Sequence, residues 1–164
     1  MTTSRFVFTP YSAEFPASAF PQLLLVNRRP ALAFDADADE TCYWTAIAPQ
    51  GLTGTMTAVI TYAMASATAN AVGFQIAIEA ITDGDTIDTD ATTSFDTVNN
   101  SASTTVPGTA GHIDQISITL TNQDSIAAGD YFRLSLNRDG NGSAITDSAT
   151  GDAYVYAVEL RDAA

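Results

Sequence analysis

The chain has 164 residues, 46% of them hydrophobic, and 19 acidic against six basic side chains give it a net charge of −13. That length suits one domain with a real core, and the apolar content is too high for a disordered acidic tail. All six cations are arginine (Arg5, Arg28, Arg29, Arg133, Arg138 and Arg161), too outnumbered to displace counterions from nucleic acid or to hold an anionic membrane.

Only 15% of residues are charged, against roughly 25% in an ordinary soluble chain. Thr, Ser, Ala, Asn and Gln must therefore cover the surface, part of which is expected in subunit contacts, where charge is depleted. The single cysteine, Cys42, precludes an intramolecular disulfide and reads as a buried, inert thiol. No stretch approaches the roughly 20 apolar residues of a membrane-spanning helix. The N-terminus, MTTSRFVFTP, lacks signal-peptide regions, so synthesis in a cytosol without export is expected.

In chain order, residues 1–29 read as an extended arm. Arg5-Phe6-Val7-Phe8 ends at Pro10, and Phe15, Pro16, Phe20 and Pro21 follow at irregular spacing. Either these rings cap the body of their own subunit, or Phe6, Phe8, Phe15 and Phe20 dock on a neighbour while Arg28 and Arg29 pair with acidic groups. A second domain, residues 30–164, begins with a strand at Ala31 to Phe34. Leu23 to Val26 forms a strand before it. Alternation around Tyr43, Thr45 and Ile47 gives the next.

The stretch from Gly54 to Thr82 has two alternating runs. Met56, Ala58, Ile60, Tyr62 and Met64 share one face, and so do Phe74, Ile76, Ile78 and Ala80. A short polar link between them predicts a central antiparallel hairpin. A long polar connection follows at 83–111, with Phe95 and Val98 as its apolar anchors. Ile116, Ile118 and Leu120 point inward on one later strand, and Phe132, Leu134 and Leu136 on another. Arg138 to Gly142 reads as a loop, and Tyr154, Tyr156, Val158 and Leu160 as one face of the last strand. About eight strands without a helix make an all-β jelly roll, or antiparallel β-sandwich.

Candidate chemistry is sparse. Asp35, Asp37, Asp39 and Glu40 begin like a calcium loop but lack its later glycine and glutamate. Asp83, Asp85, Asp88 and Asp90 are solvated loop acids by default, with calcium conceivable there. A triad would need His112, the only histidine, and no Gly-x-Ser-x-Gly element accompanies it. Glu79 and Glu159 face outward, and nothing singles them out as a glycosidase pair. Trp44, Tyr43, Tyr62, Tyr131, Tyr154 and Tyr156 could serve a sugar platform. Tyr62, Tyr154 and Tyr156 share faces with aliphatic residues and read as core, which leaves Tyr43 and Tyr131 as the exposed rings.

The segments LAFDADADETCYWTAIAP (32–49), TAVITYAMASATANAVGFQIAIEAI (57–81), PGTAGHIDQISITLT (107–121), DSIAAGDYFRLSLNRDG (124–140) and GDAYVYAVELRD (151–162) resemble small structural proteins of tailed bacteriophages. The resemblance spans residues 30–162 and implies a jelly-roll virion protein, most like capsid decoration (cement) proteins. Such proteins are homotrimers seated between major capsid subunits on the virion, with no cofactor and no catalytic residue. The alternative is a tail-associated module that binds carbohydrate or another receptor. An enzyme is the third expectation and would need His112 or a carboxylate pair.

Overall fold

A computed structural model describes residues 3–162. Strands β1 (Ser4–Phe8), β2 (Gln22–Val26), β3 (Arg29–Phe34), β4 (Glu40–Ile47), β5 (Met56–Met64), β6 (Ala71–Val72) and β7 (Phe74–Ile81) fill the first half. β8 (Asn99–Asn100), β9 (Thr104–Thr105), β10 (Asp114–Leu120), β11 (Tyr131–Arg138) and β12 (Ala153–Asp162) follow. They form a six-stranded sheet in the order β10-β5-β12-β3-β2 with β1 also on β12, a four-stranded sheet β4-β11-β7-β8, and a small β6-β9 pair. Every pairing is antiparallel. The two large sheets pack as the expected jelly-roll sandwich, their inward residues forming one core.

The two runs of the 54–82 stretch do not form a hairpin. β5 pairs with β10 and β12, whereas β7 pairs with β11 and β8. The link at 65–73 carries the chain from one sheet to the other, and the two apolar faces meet across the core. Tyr62 meets Phe74 edge to face at 5.9 Å, and Phe34 meets Phe74 at 6.0 Å. Period-two alternation names the buried face and is silent on which strand lies alongside.

The last strand departs from its sequence pattern for a different reason. Its register slips between Val155 and Ala157, a β-bulge that adds one outward residue. Ala153 and Val155 therefore point inward before it and Val158 and Leu160 after it, which puts Tyr154 and Tyr156 on the outer face.

Residues 3–29 lie on the body instead of standing off as an arm. β1 pairs with β12 and β2 with β3. Phe6 and Phe8 stack at 5.6 Å, Phe8 reaches Trp44 at 5.8 Å, and Phe6 meets Phe132 at 5.1 Å. Their use is in their own core, because backbone pairing with β12 turns both rings toward it. Phe15 and Phe20 stay partly exposed and pack on each other at 5.5 Å.

One end of the sandwich is closed over charge. Arg138 continues the inward phase of Phe132, Leu134 and Leu136 and is fully buried. Its guanidinium donates to both carboxylate oxygens of Asp147 (2.9 and 3.0 Å) and to the carbonyls of Phe34, Ala149 and Gly151. Asp139 beside it accepts from the backbone of Ser143, Ala144 and Ile145.

Candidate functional site

The outer face of the four-stranded sheet collects most of the exposed chemistry. Register places its outward residues in rows across β4, β11 and β7. One row is Ile47, Tyr131 and Ile81; the next is Thr45, Arg133 and Glu79; the third is Tyr43, Ser135 and Ala77. A fourth row is a side-chain ladder. Thr41 donates to Asn137 (3.5 Å), Asn137 to Gln75 (2.8 Å), and Gln75 to Asn100 of β8 (2.9 Å). Such cross-strand pairs stiffen the face they cover.

Two segments rise beside this sheet and make it concave. Glu14 exchanges backbone hydrogen bonds with Tyr43 at the open edge of β4. The 82–98 loop crosses on the other side and is tied down by Asp96, whose N–H donates to the carbonyl of Ile78 and whose carboxylate accepts from Asp124 N–H. Between them lies a cleft of about 320 Å3 lined by Glu14, Glu79, Ile81, Thr89, Thr92, Tyr131 and Arg133.

Arg133 is the hub of the cleft. It donates to Glu79 at 3.2 Å, and its guanidinium carbon lies 4.9 Å from the Tyr43 ring centre and 5.3 Å from that of Phe95. Tyr43 and Phe95 stack at 5.6 Å. A guanidinium held by two rings and a carboxylate has lost most of its rotamer freedom. Glu79 is only 2% exposed, and the N–H and hydroxyl of Ser94 occupy its other oxygen. With both oxygens engaged, this carboxylate positions Arg133. Tyr131 presents its ring freely, 39% exposed, between Ile47 and Ile81. A flat aromatic flanked by fixed hydrogen-bonding groups can stack an amphipathic ring and bond its substituents at the same time.

The structure separates the other candidates. Tyr131 is exposed in the cleft as expected, while Tyr43 is committed to Phe95 and Arg133. Arg28 and Arg29 sit at the β2–β3 turn, on the other sheet. His112 is exposed on the approach to β10. Burial raises the Cys42 thiol well above its ordinary value, which suits an inert side chain. Asp39 bonds Asn141, Asp35 bonds the backbone of Asp37, and Asp85 and Asp88 bond their own loop. Among the described residues no group of three or more His, Cys, Asp or Glu is placed to hold a metal ion. Sequence reasoning missed the Arg133–Glu79 pair and the part Phe95 plays. The only signal was one aromatic in an otherwise polar connection.

No protein-family model matches the chain, and no curated protein does. Among solved structures the fold has clear counterparts. Those compared below are carbohydrate-binding modules. A family 35 carbohydrate binding module from an environmental isolate matches with a TM-score of 0.54 and 9% identity over 94% of this chain and 91% of that one. The carbohydrate binding module CBM6cm-2 from Cellvibrio mixtus lichenase 5A, solved in complex with cellotriose, gives 0.49 and 6% over 99% and 100%. A xylan-binding module, CBM15, gives 0.48 and 12% over 97% of each chain.

At these identities the likeness concerns the fold. It overturns the capsid-decoration expectation all the same. The segments behind that resemblance are strand alternations and turns, which any jelly roll needs, and the jelly roll they describe is shared with carbohydrate-binding modules. No family match or curated relative ties the chain to a capsid.

Proposed function

We propose that this chain is a non-catalytic carbohydrate-binding module whose ligand face is the cleft on the four-stranded sheet. The observation that carries the proposal is the exposed ring of Tyr131, set beside the fixed Arg133–Glu79 pair in a concave site. The ring would stack on the apolar face of a sugar, and the Arg133 N–H groups and the threonines of the loop would bond its hydroxyls. The carbohydrate-binding fold likeness supports the same assignment. Glu14 and Glu79 both line the cleft, so the favoured ligand is neutral.

Affinity electrophoresis in gels containing xylan, mixed-linkage glucan, hydroxyethylcellulose or mannan tests this. At least one polysaccharide should retard the protein, and Tyr131→Ala should lose about tenfold or more in affinity, because truncating a central aromatic anchor costs about 2 kcal/mol. Retardation by none of them, or a variant that binds like the parent, would overturn the assignment.

A further inference from the structure

The opposite broad face of the sandwich carries a second concavity of about 520 Å3. Tyr154 and Tyr156 of β12 with Met64 and Ile113 supply its apolar wall, and Asn27 and Arg29 stand at the β2–β3 turn. Tyr154 pairs with Ala33 on one side and Ala63 on the other, so only small side chains flank the ring. The two tyrosines are two residues apart on one strand, roughly 7 Å along it.

The turn is unusual. Asn27 and Arg28 adopt positive φ angles of 46° and 69°, which suit the two-residue hairpin turn but which a non-glycine residue such as Arg28 seldom holds. Conformations of this kind persist where the surroundings over-determine them. Arg29 follows, and among the described residues its guanidinium donates to the Asn27 carbonyl at 3.3 Å and to no side chain. The three ion pairs among the described residues use Arg5, Arg133 and Arg138. Among the described residues, Arg28 and Arg29 thus form no ion pair, in a chain with 19 acidic residues. Arg29 and Tyr156 line the same hollow, where burial raises the Tyr156 phenol above its usual range and the Arg29 charge pulls it back. No acidic side chain lines this hollow, in contrast to the first cleft.

We propose that this hollow is a second ligand site, and that it takes a saccharide bearing a carboxylate. Arg29 binds the carboxylate through its fork of N–H donors, and the uronic-acid ring and its neighbour lie against Tyr156 and Tyr154. The site uses a different sheet and different residues from the Tyr131 cleft, so it stands or falls separately. The protein's net charge repels anions at long range, but this repulsion is screened beyond about 8 Å at physiological salt, whereas the contact with Arg29 is short.

Isothermal titration calorimetry at 0.15 M NaCl tests it with trigalacturonic acid, trimannuronic acid and a glucuronate-substituted xylotriose, each beside its neutral methyl ester. At least one free acid should bind at least about tenfold tighter than its ester, as a lost charge-assisted hydrogen bond implies. Arg29→Gln should remove that preference, Arg29→Lys should retain part of it, and Tyr156→Ala should weaken acid and ester alike. Because the first cleft is proposed to take neutral sugars through Tyr131, the same titrations are run on Tyr131→Ala protein, in which the acid should still outbind its ester. Binding of no acid, equal binding of acid and ester, or an Arg29→Gln protein that behaves as the parent would overturn the proposal. Loss of that preference in Tyr131→Ala would place the acid in the first cleft and overturn it too.

Discussion

The 139–152 and 82–98 loops are both polar, the first mixing Asp, Gly, Ser and Thr and the second built mostly of Thr and Asp, and they have opposite fates. The first is fixed by buried charge. Asp147 clamps Arg138, and the carbonyls of Ala149 and Gly151 complete the guanidinium's bonding. The second is anchored only at its far end, where Ser94 bonds Glu79 and Asp96 bonds Ile78 and Asp124; its first part bonds to itself through short turns at Asp85 and Asp88, with open space around Gly84. A polar loop becomes part of the core only when an inward-phased charge demands partners. Otherwise it remains free to shape a cleft.

The sharpest way to break this contrast is Arg138→Ala. It strands the buried Asp147 carboxylate, and removing one member of such a pair costs about 3–5 kcal/mol. Urea unfolding should show that loss, and a variant within 1 kcal/mol of the parent would mean the loop is not held by this charge. Gly140→Ala comes next. A Cβ there would stand 2.6 Å from the Ala38 carbonyl oxygen, which is backbone and cannot swing aside. Overpacking of this kind costs about 1–3 kcal/mol, readable as a lower denaturation midpoint with an unchanged slope.

Asp139 supplies a pH test. Burial alone would raise its pKa, but the N–H groups of Ile145, Ala144 and Ser143 and the Ser143 hydroxyl outweigh it and hold the carboxyl below its ordinary value. A depressed folded-state pKa stabilises the protein above the unfolded value, near 3.9, and that stability is lost as pH falls through the folded value. The parent should therefore lose more stability between pH 5 and pH 2 than Asp139→Asn does; equal losses would remove Asp139 from the account. The smallest effect is expected in the other loop. Asp88→Ala removes only an exposed local turn contact and should shift stability by no more than about 0.5 kcal/mol. A larger shift by calorimetry would show that the cleft loop is as tightly integrated as the 139–152 loop.

Which face of each strand is buried was legible, and what lies beside it was not. Ile116, Ile118 and Leu120, and Phe132, Leu134 and Leu136, are buried as their alternation requires. The same phase carried one step further would have put Arg138 inside, but turn-forming neighbours disguised it as a loop residue. The β12 bulge is invisible to a period-two pattern, so Tyr154 and Tyr156 were assigned to the wrong side. The N-terminal prolines read as an extended arm and left open whether its rings cap their own subunit or a neighbour; Phe6 and Phe8 take the first course, through a strand too short to announce its partner. At the candidate site, Tyr131 could be named from its sequence position. Its association with Arg133, Glu79 and Phe95 depends on the registry of β11 against β7 and on how a loop crosses the sheet, information that only the folded chain contains.

Cys42 turns the core into its own clock. As the single thiol in the chain, fully buried and with its ionisation suppressed by burial, it is inert to alkylating reagents while the sandwich is closed. Its labelling rate in native buffer therefore counts openings that release the edge strand β4 from β11 and expose the core. A saccharide bound on either face would slow that clock in proportion to its occupancy, so one mass-spectrometric time course can report binding without immobilising the protein or labelling the sugar.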